Sequence, residues 1–149
     1  MTRAQRDAAD PAASVWVSAS AGTGKTKVLT DRVLSLLLAG TAPGRILCLT
    51  FTRAAAAEMS NRISASLGEW AAVDVEKLTD QLTELLGRAP DEETCALARQ
   101  LFAEVLDVPG GMKIQTIHAF CESLLKRFPI EAGLAPHFEV MDERGAADE

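Results

Sequence analysis

The sequence predicts an α/β fold, with a parallel sheet flanked by helices. Three observations carry that reading. Two short apolar runs, SVWVSA (Ser14 to Ala19) and RILCLTFT (Arg45 to Thr52), are continuous rather than alternating, which suits strands covered on both faces. Each is followed by a stretch with helical spacing of its apolar residues. The resulting order of strand, helix, strand, helix is the grammar of βαβ units, which set strands parallel. The 149 residues are 48% hydrophobic and 24% charged, as in an ordinary globular domain. Tyr is absent and aromatic residues make up only 5%, so Leu, Val, Ile and Ala must build the core.

The elements follow in chain order. Residues 1–13 include Asp7 and Asp10 and lack a long apolar stretch, so they read as a flexible N-terminal arm and not as a signal peptide. SVWVSA is the first strand. In KTKVLTDRVLSLLLAG, Leu29, Val33, Leu36 and Leu37 share one helical face, and Gly40 and Pro43 stop the helix. RILCLTFT is the second strand, and RAAAAEMSNRISASLGEW an Ala-rich helix; residues 14–69 thus form the first part of the α/β layer. Leu78, Leu82, Leu85 and Leu86 recur at helical spacing, as do Leu97, Leu101 and Val105. The second of these helices opens on the acidic Asp91 to Glu93, which the helix dipole favours. We read residues 70–111 as a helical insert closed by the turn sequence DVPGG. Residues 112–140 resume the layer with the strand MKIQTI and the helix HAFCESLLKRF, whose Phe120 and Leu124 share a side with Phe128. The acidic residues 141–149 read as a frayed tail.

A net charge of −6 argues against a surface that is all nucleic-acid footprint, while leaving room for a local basic groove. Cys48, Cys95 and Cys121 are odd in number and have no metal-ligand spacing. They are expected to be small buried side chains in a reducing compartment. No apolar run approaches the ~20 residues of a membrane span, so a cytoplasmic protein without a membrane partner is expected.

Between the first strand and its helix stands Ala19-x-x-Gly22-x-Gly24-Lys25-Thr26, the phosphate-loop pattern with Ala in the first position. Ala19, Ser20, Ala21, Gly22, Thr23 and Gly24 are small enough for successive backbone N–H groups to turn around an anion. The glycines permit positive φ, and the helix that follows presents its positive end. Lys25 supplies a charge to the β- and γ-phosphates, and Thr26 a hydroxyl for Mg²⁺. The cofactors expected are therefore ATP and Mg²⁺, with Lys25 and Thr26 as the catalytic residues.

With ASAGTGKT, LTFTRAAAAEM and TIHAFCESLLKRFP in this order, the chain resembles superfamily 1 DNA helicases of the UvrD/RecB type. Among these it is most similar to AddA-like subunits of AddAB helicase–nucleases, which repair double-strand breaks. FPIEAGLAPHFEVMDE (Phe128 to Glu143) also looks AddA-like. The resemblance implies a RecA-like P-loop NTPase sheet, incomplete here, and an ATP-dependent motor on single- or double-stranded DNA with an AddB-like partner. It places Thr50, Phe51, Thr52 and Arg53 at a motif that touches single-stranded DNA, and Thr116 and His118 at a third early motif near the DNA path. Independently of any resemblance, strand carboxyl ends gather ligands in α/β sheets, hydroxyls can hold phosphates and Phe51 can stack on a base. Phe51 could equally be a core aromatic, and His118 a cap or core histidine. Many relatives carry Asn-Lys where Arg53-Ala54 stands, which leaves Arg53 as the one charge at that point.

Some expected parts are absent from the sequence. No Asp-Glu pair ends an apolar strand to order Mg²⁺ and water, and no second lobe supplies arginines. DPAASVW holds no glutamine of the kind many relatives use to read adenine. The chain therefore reads as an N-terminal fragment that binds nucleotide but hydrolyses little of it alone. The alternative is a phosphate-loop kinase or nucleotide-dependent switch that does not act on DNA.

Overall fold

A side chain that accepts a backbone N–H opens most of the helices in the computed structural model, which describes residues 2–18, 22 and 24–140. Thr2 caps α1 (Arg3–Ala9), Thr52 caps α3 (Arg53–Ala72) and Asp74 caps α4 (Val75–Leu86). Asp91 caps α5 (Glu92–Leu106) and Thr116 caps α6 (Ile117–Arg127). Each supplies an acceptor to an amide that the first helical turn leaves unpaired. Helix α2 (Lys25–Leu38) differs: its N-cap is Gly24. It stops before Gly40, as expected, and a 3-10 turn at Pro43–Arg45 leads into the first strand.

The sheet consists, among the described residues, of β1 (Leu47–Thr50) and β2 (Lys113–Thr116). They run parallel, with Leu47 opposite Lys113 and Thr50 opposite Thr116. Parallel neighbours need a long crossover, and α3, α4 and α5 provide it. Helix α3 packs on both strands and on α2 and α5. Its buried stripe Ala56, Met59, Ile63, Leu67 and Trp70 follows helical periodicity. Gly68 faces α5, where a Cβ would lie 3.6 Å from the Phe102 ring, in ordinary van der Waals contact. The guanidinium of Arg99 donates to the Val73 carbonyl at 2.8 Å, just past the end of α3. Val33, Leu34 and Leu37 of α2, Leu78, Leu82 and Leu85 of α4, and Ala98 and Leu101 of α5 join this one core. The segment expected as an insert thus shares its core with the rest of the chain.

Four expectations need correction. The supposed flexible arm contains α1, which packs on α2 and buries Ala9. Residues 14–18 of the supposed first strand have no regular secondary structure. A strand requires a ladder partner for its backbone groups, and among the described residues none is paired with this segment; Val15 and Val17 instead line a cavity with Ala8, Val28 and Leu29, while Trp16 is 92% exposed. The inward face of α2 is rotated from the expected one, with Val28 and Leu34 buried and Leu29 exposed. Cys48 and Cys95 are half-buried, and Cys121 is exposed because α6 buries none of its residues. The tail 141–149 lies outside the described residues.

Candidate functional site

The start of α2 is where the phosphate-loop pattern falls. Gly22 and Gly24 have φ of 79° and 85°, in the left-handed region that only glycine enters without strain. The N-cap of α2 is Gly24, which has no side chain to offer the first-turn amides, unlike the Thr and Asp caps of the other helices. Its amides stand at the positive end of the helix dipole, a ready anion site. Lys25 is the first helical residue and exposed; Thr26 is next and half-buried. A Cβ added at Gly22 would meet nothing within 4 Å. These residues fit a nucleotide phosphate group. Ala19, Ser20, Ala21 and Thr23 lie outside the described residues.

Gln5 is the residue that sequence reasoning missed. DPAASVW, the segment just before the loop, holds no glutamine, but α1 brings one from further back. Thr2 and Gln5 form a capping box: the Gln5 amide N–H donates to Thr2 Oγ1 at 3.3 Å, and Thr2 N–H donates to Gln5 Oε1 at 2.9 Å. The side-chain nitrogen of Gln5 then lies 3.9 Å from where a Cβ on Gly24 would stand. The sequence does carry a signal for it in Thr-x-x-Gln at positions 2 to 5, which is the sequence form of that box.

A second group of candidates lies at the carboxyl ends of the two strands. The parallel register sets Thr50 beside Thr116, and each strand hands over directly to a helix. The Thr50 hydroxyl donates to the Thr52 carbonyl at 2.9 Å. Thr52 Oγ1 accepts from Ala55 N–H, and Thr116 Oγ1 from Ala119 N–H, both at 3.1 Å. Those two hydroxyls therefore fix the helix entries. Phe51 projects from the turn between β1 and α3 and is 85% exposed, which removes the reading of it as a core aromatic. Arg53 and His118 are exposed in the first turns of α3 and α6. Thr50, Phe51, Thr52, Arg53, Thr116 and His118 are thus brought to one end of the sheet.

The family model of the UvrD/REP helicase N-terminal domain matches residues 1–148. The chain belongs to that family. It is 37% identical over 139 residues to an ATP-dependent helicase/nuclease subunit of Lactobacillus gasseri, covering 93% of this chain and 10% of that protein. The proteins of the same name from Lactobacillus acidophilus and Pelotomaculum thermopropionicum are 35% and 39% identical, over 98% and 89% of this chain and 10% and 9% of their own lengths. The chain therefore spans about a tenth of the length of these relatives. Among the described residues, no helix is long and apolar enough to cross a membrane.

Proposed function

We propose that this chain is the ATP-binding N-terminal part of an AddA-like, DNA-dependent helicase that moves on single-stranded DNA in double-strand break repair by recombination. The observation that carries the proposal is the start of α2: left-handed glycines, one of them the N-cap, with Lys25 as the first helical residue, in a chain of the UvrD/REP family. In this reading, residues 19–26 and the first amides of α2 hold the triphosphate, and Lys25 offers its ammonium to the β- and γ-phosphates. The Thr26 hydroxyl would help to hold Mg²⁺, whose charge would offset that of the phosphates. The amide of Gln5 reads the adenine edge. ATP and Mg²⁺ supply the phosphoryl chemistry, and the residues of this chain bind and orient.

DNA would cross the carboxyl ends of β1 and β2, its bases stacked on Phe51 and its phosphates near Arg53 and His118. Both described strands end in Thr, at Thr50 and Thr116, and neither brings a carboxylate to order the attacking water. The two strands would be part of a RecA-like sheet whose remaining strands, second lobe and AddB-like partner act with this chain in the whole motor. The 149 residues alone are accordingly expected to bind ATP and turn over almost none.

Equilibrium binding of a fluorescent ATP analogue tests this. The unaltered chain should bind it in a Mg²⁺-dependent manner, and Lys25→Ala should weaken binding by about ten- to a hundredfold, the worth of a charge-assisted contact. Absence of binding to the unaltered chain would sink the proposal. Rapid steady-state ATP hydrolysis stimulated by single-stranded DNA would instead overturn the division of labour with the rest of the motor.

A further inference from the structure

Helix α1 is poorly equipped to hold its own position. It has seven residues and buries only Ala9, and so short a helix is marginal without tertiary support. Toward α4 it borders a cavity of about 480 Å³ lined by Arg3, Arg6, Ser35, Leu85 and Gly87. On the other side stands Arg32 of α2. Its guanidinium donates to the carbonyls of Ala8 at 3.2 Å, Asp10 at 2.8 Å and Ala13 at 2.6 Å. These three carbonyls span the end of α1 and the turn that follows it. A positive fork at a helix C-terminus meets both the unpaired carbonyls and the negative end of the dipole. The neighbouring carboxylate does not draw this charge away, since Asp31 is paired with Lys27 at 2.8 Å.

We propose that Arg32 is a positioning residue for recognition of the nucleotide base: by clamping the C-terminal end of α1, it holds Gln5, on the first turn, beside Gly24. The inference rests on the reading of Gln5 as the adenine-reading side chain. The geometry argues for arginine in particular. Five donors in a rigid plane can serve three carbonyls at once, whereas an ammonium on a flexible stem cannot hold the same fork. In this proposal Arg32 acts through α1.

The test compares equilibrium binding of ATP, GTP and inorganic tripolyphosphate by the 149-residue chain and its Arg32→Ala, Arg32→Lys and Gln5→Ala variants, with circular dichroism to verify that each is folded. The unaltered chain should favour ATP over GTP by about tenfold, the scale of one or two hydrogen bonds to the base. Arg32→Ala should abolish that preference and leave tripolyphosphate affinity within about twofold, because the loop and Lys25 are untouched. Arg32→Lys should retain part of the preference. Combining Arg32→Ala with Gln5→Ala should cost no more than either alone, as coupled residues do. The inference is overturned if Arg32→Ala keeps the full ATP preference, or if all three ligands weaken in parallel, the mark of a merely structural role. If the unaltered chain binds tripolyphosphate but does not distinguish ATP from GTP, the base-reading role of Gln5 falls and Arg32 with it, while the phosphate loop stands. If it binds none of the three, the nucleotide reading itself fails.

Discussion

Leu67, Leu78 and Leu82 are wholly buried among the helices, whereas Leu47 and Leu49, on a strand of a parallel sheet, keep 42% and 43% of their surface exposed. The two regions obey different rules. Helices α2, α3, α4 and α5 close around one shared core. Strand β1 turns Cys48 toward that core, while Leu47, Cys48 and Leu49, with Leu29, Val33 and Leu36 of α2, line a cavity of about 240 Å³. Parallel strands are ordinarily covered on both sides. The difference teaches that folding free energy is concentrated in the helical body, while the candidate binding groups occupy the thinly covered strand ends and the loop before α2. Substitutions should therefore separate stability from binding.

The largest expected effect tests the helical half. Leu67→Ala or Leu82→Ala should destabilise the chain by about 2–5 kcal/mol, combining lost burial with a cavity, as read by urea denaturation. Leu49→Ala should cost under about 1 kcal/mol, because much of its surface is already in water. Equal costs would break the distinction between the two regions.

Phe51→Ala tests the other half. Its ring is almost wholly in water, so the urea midpoint should not move. Binding of a fluorescent single-stranded oligonucleotide should weaken by about 1–3 kcal/mol, the scale of base–aromatic stacking, and in every variant it should decline with added salt. A fall in stability without a fall in affinity would return Phe51 to the core.

The same contrast explains what could be read from the sequence. Most boundaries in the helical body were legible because they are local: Thr52, Asp74, Asp91 and Thr116 stand at helix entries, and Gly40 and Gly87 just past helix ends. Leu78, Leu82 and Leu101 were legible as core from periodicity alone. What failed depends on distant partners. Helix α1 has no apolar stripe; a capping box and an arginine two dozen residues away support it. SVWVSA has the composition of a strand, but composition cannot supply the ladder that a strand needs. The residue types of Phe51 and Cys121 suggested burial, and only the turn after β1 and the uncovered α6 expose them. At the site, the glycine–lysine spacing was legible. Gln5 was not, because only the packing of α1 on α2 brings so distant a side chain to the loop.

Acidity should act on the helical body. Glu69 on α3 accepts from Lys77 Nζ at 2.9 Å and Gln81 Nε2 at 2.8 Å on α4. The hydrogen bond from Lys77, then that from Gln81, holds its carboxyl below the ordinary 4.5. The Thr94 hydrogen bonds hold the capping carboxyl of Asp91 below 3.8. Carboxyls depressed on folding add stability that is complete above their unfolded values and lost as pH falls through the folded ones. The urea midpoint should therefore drop below about pH 4.5. Glu69→Gln combined with Asp91→Asn, which keeps a capping oxygen, should make the drop shallower; an unchanged profile would remove both groups from the account.

Thiol alkylation gives the smallest effect and the finest comparison, because one cysteine reports on the sheet and another on α6. Cys48 lies half-buried on the core-facing side of β1, and burial pushes its thiol up, which lowers the fraction of reactive thiolate. Cys121 is exposed on α6. Under native conditions iodoacetamide should modify Cys121 about tenfold faster than Cys48, from access and thiolate fraction together, as followed by peptide mass spectrometry. In urea the two rates should converge, since both causes belong to the folded state. If Cys48 reacted as fast as Cys121 without urea, the core-facing side of β1 would be as open as its leucine side, and the boundary between the closed and open regions would have to move from β1 to α3.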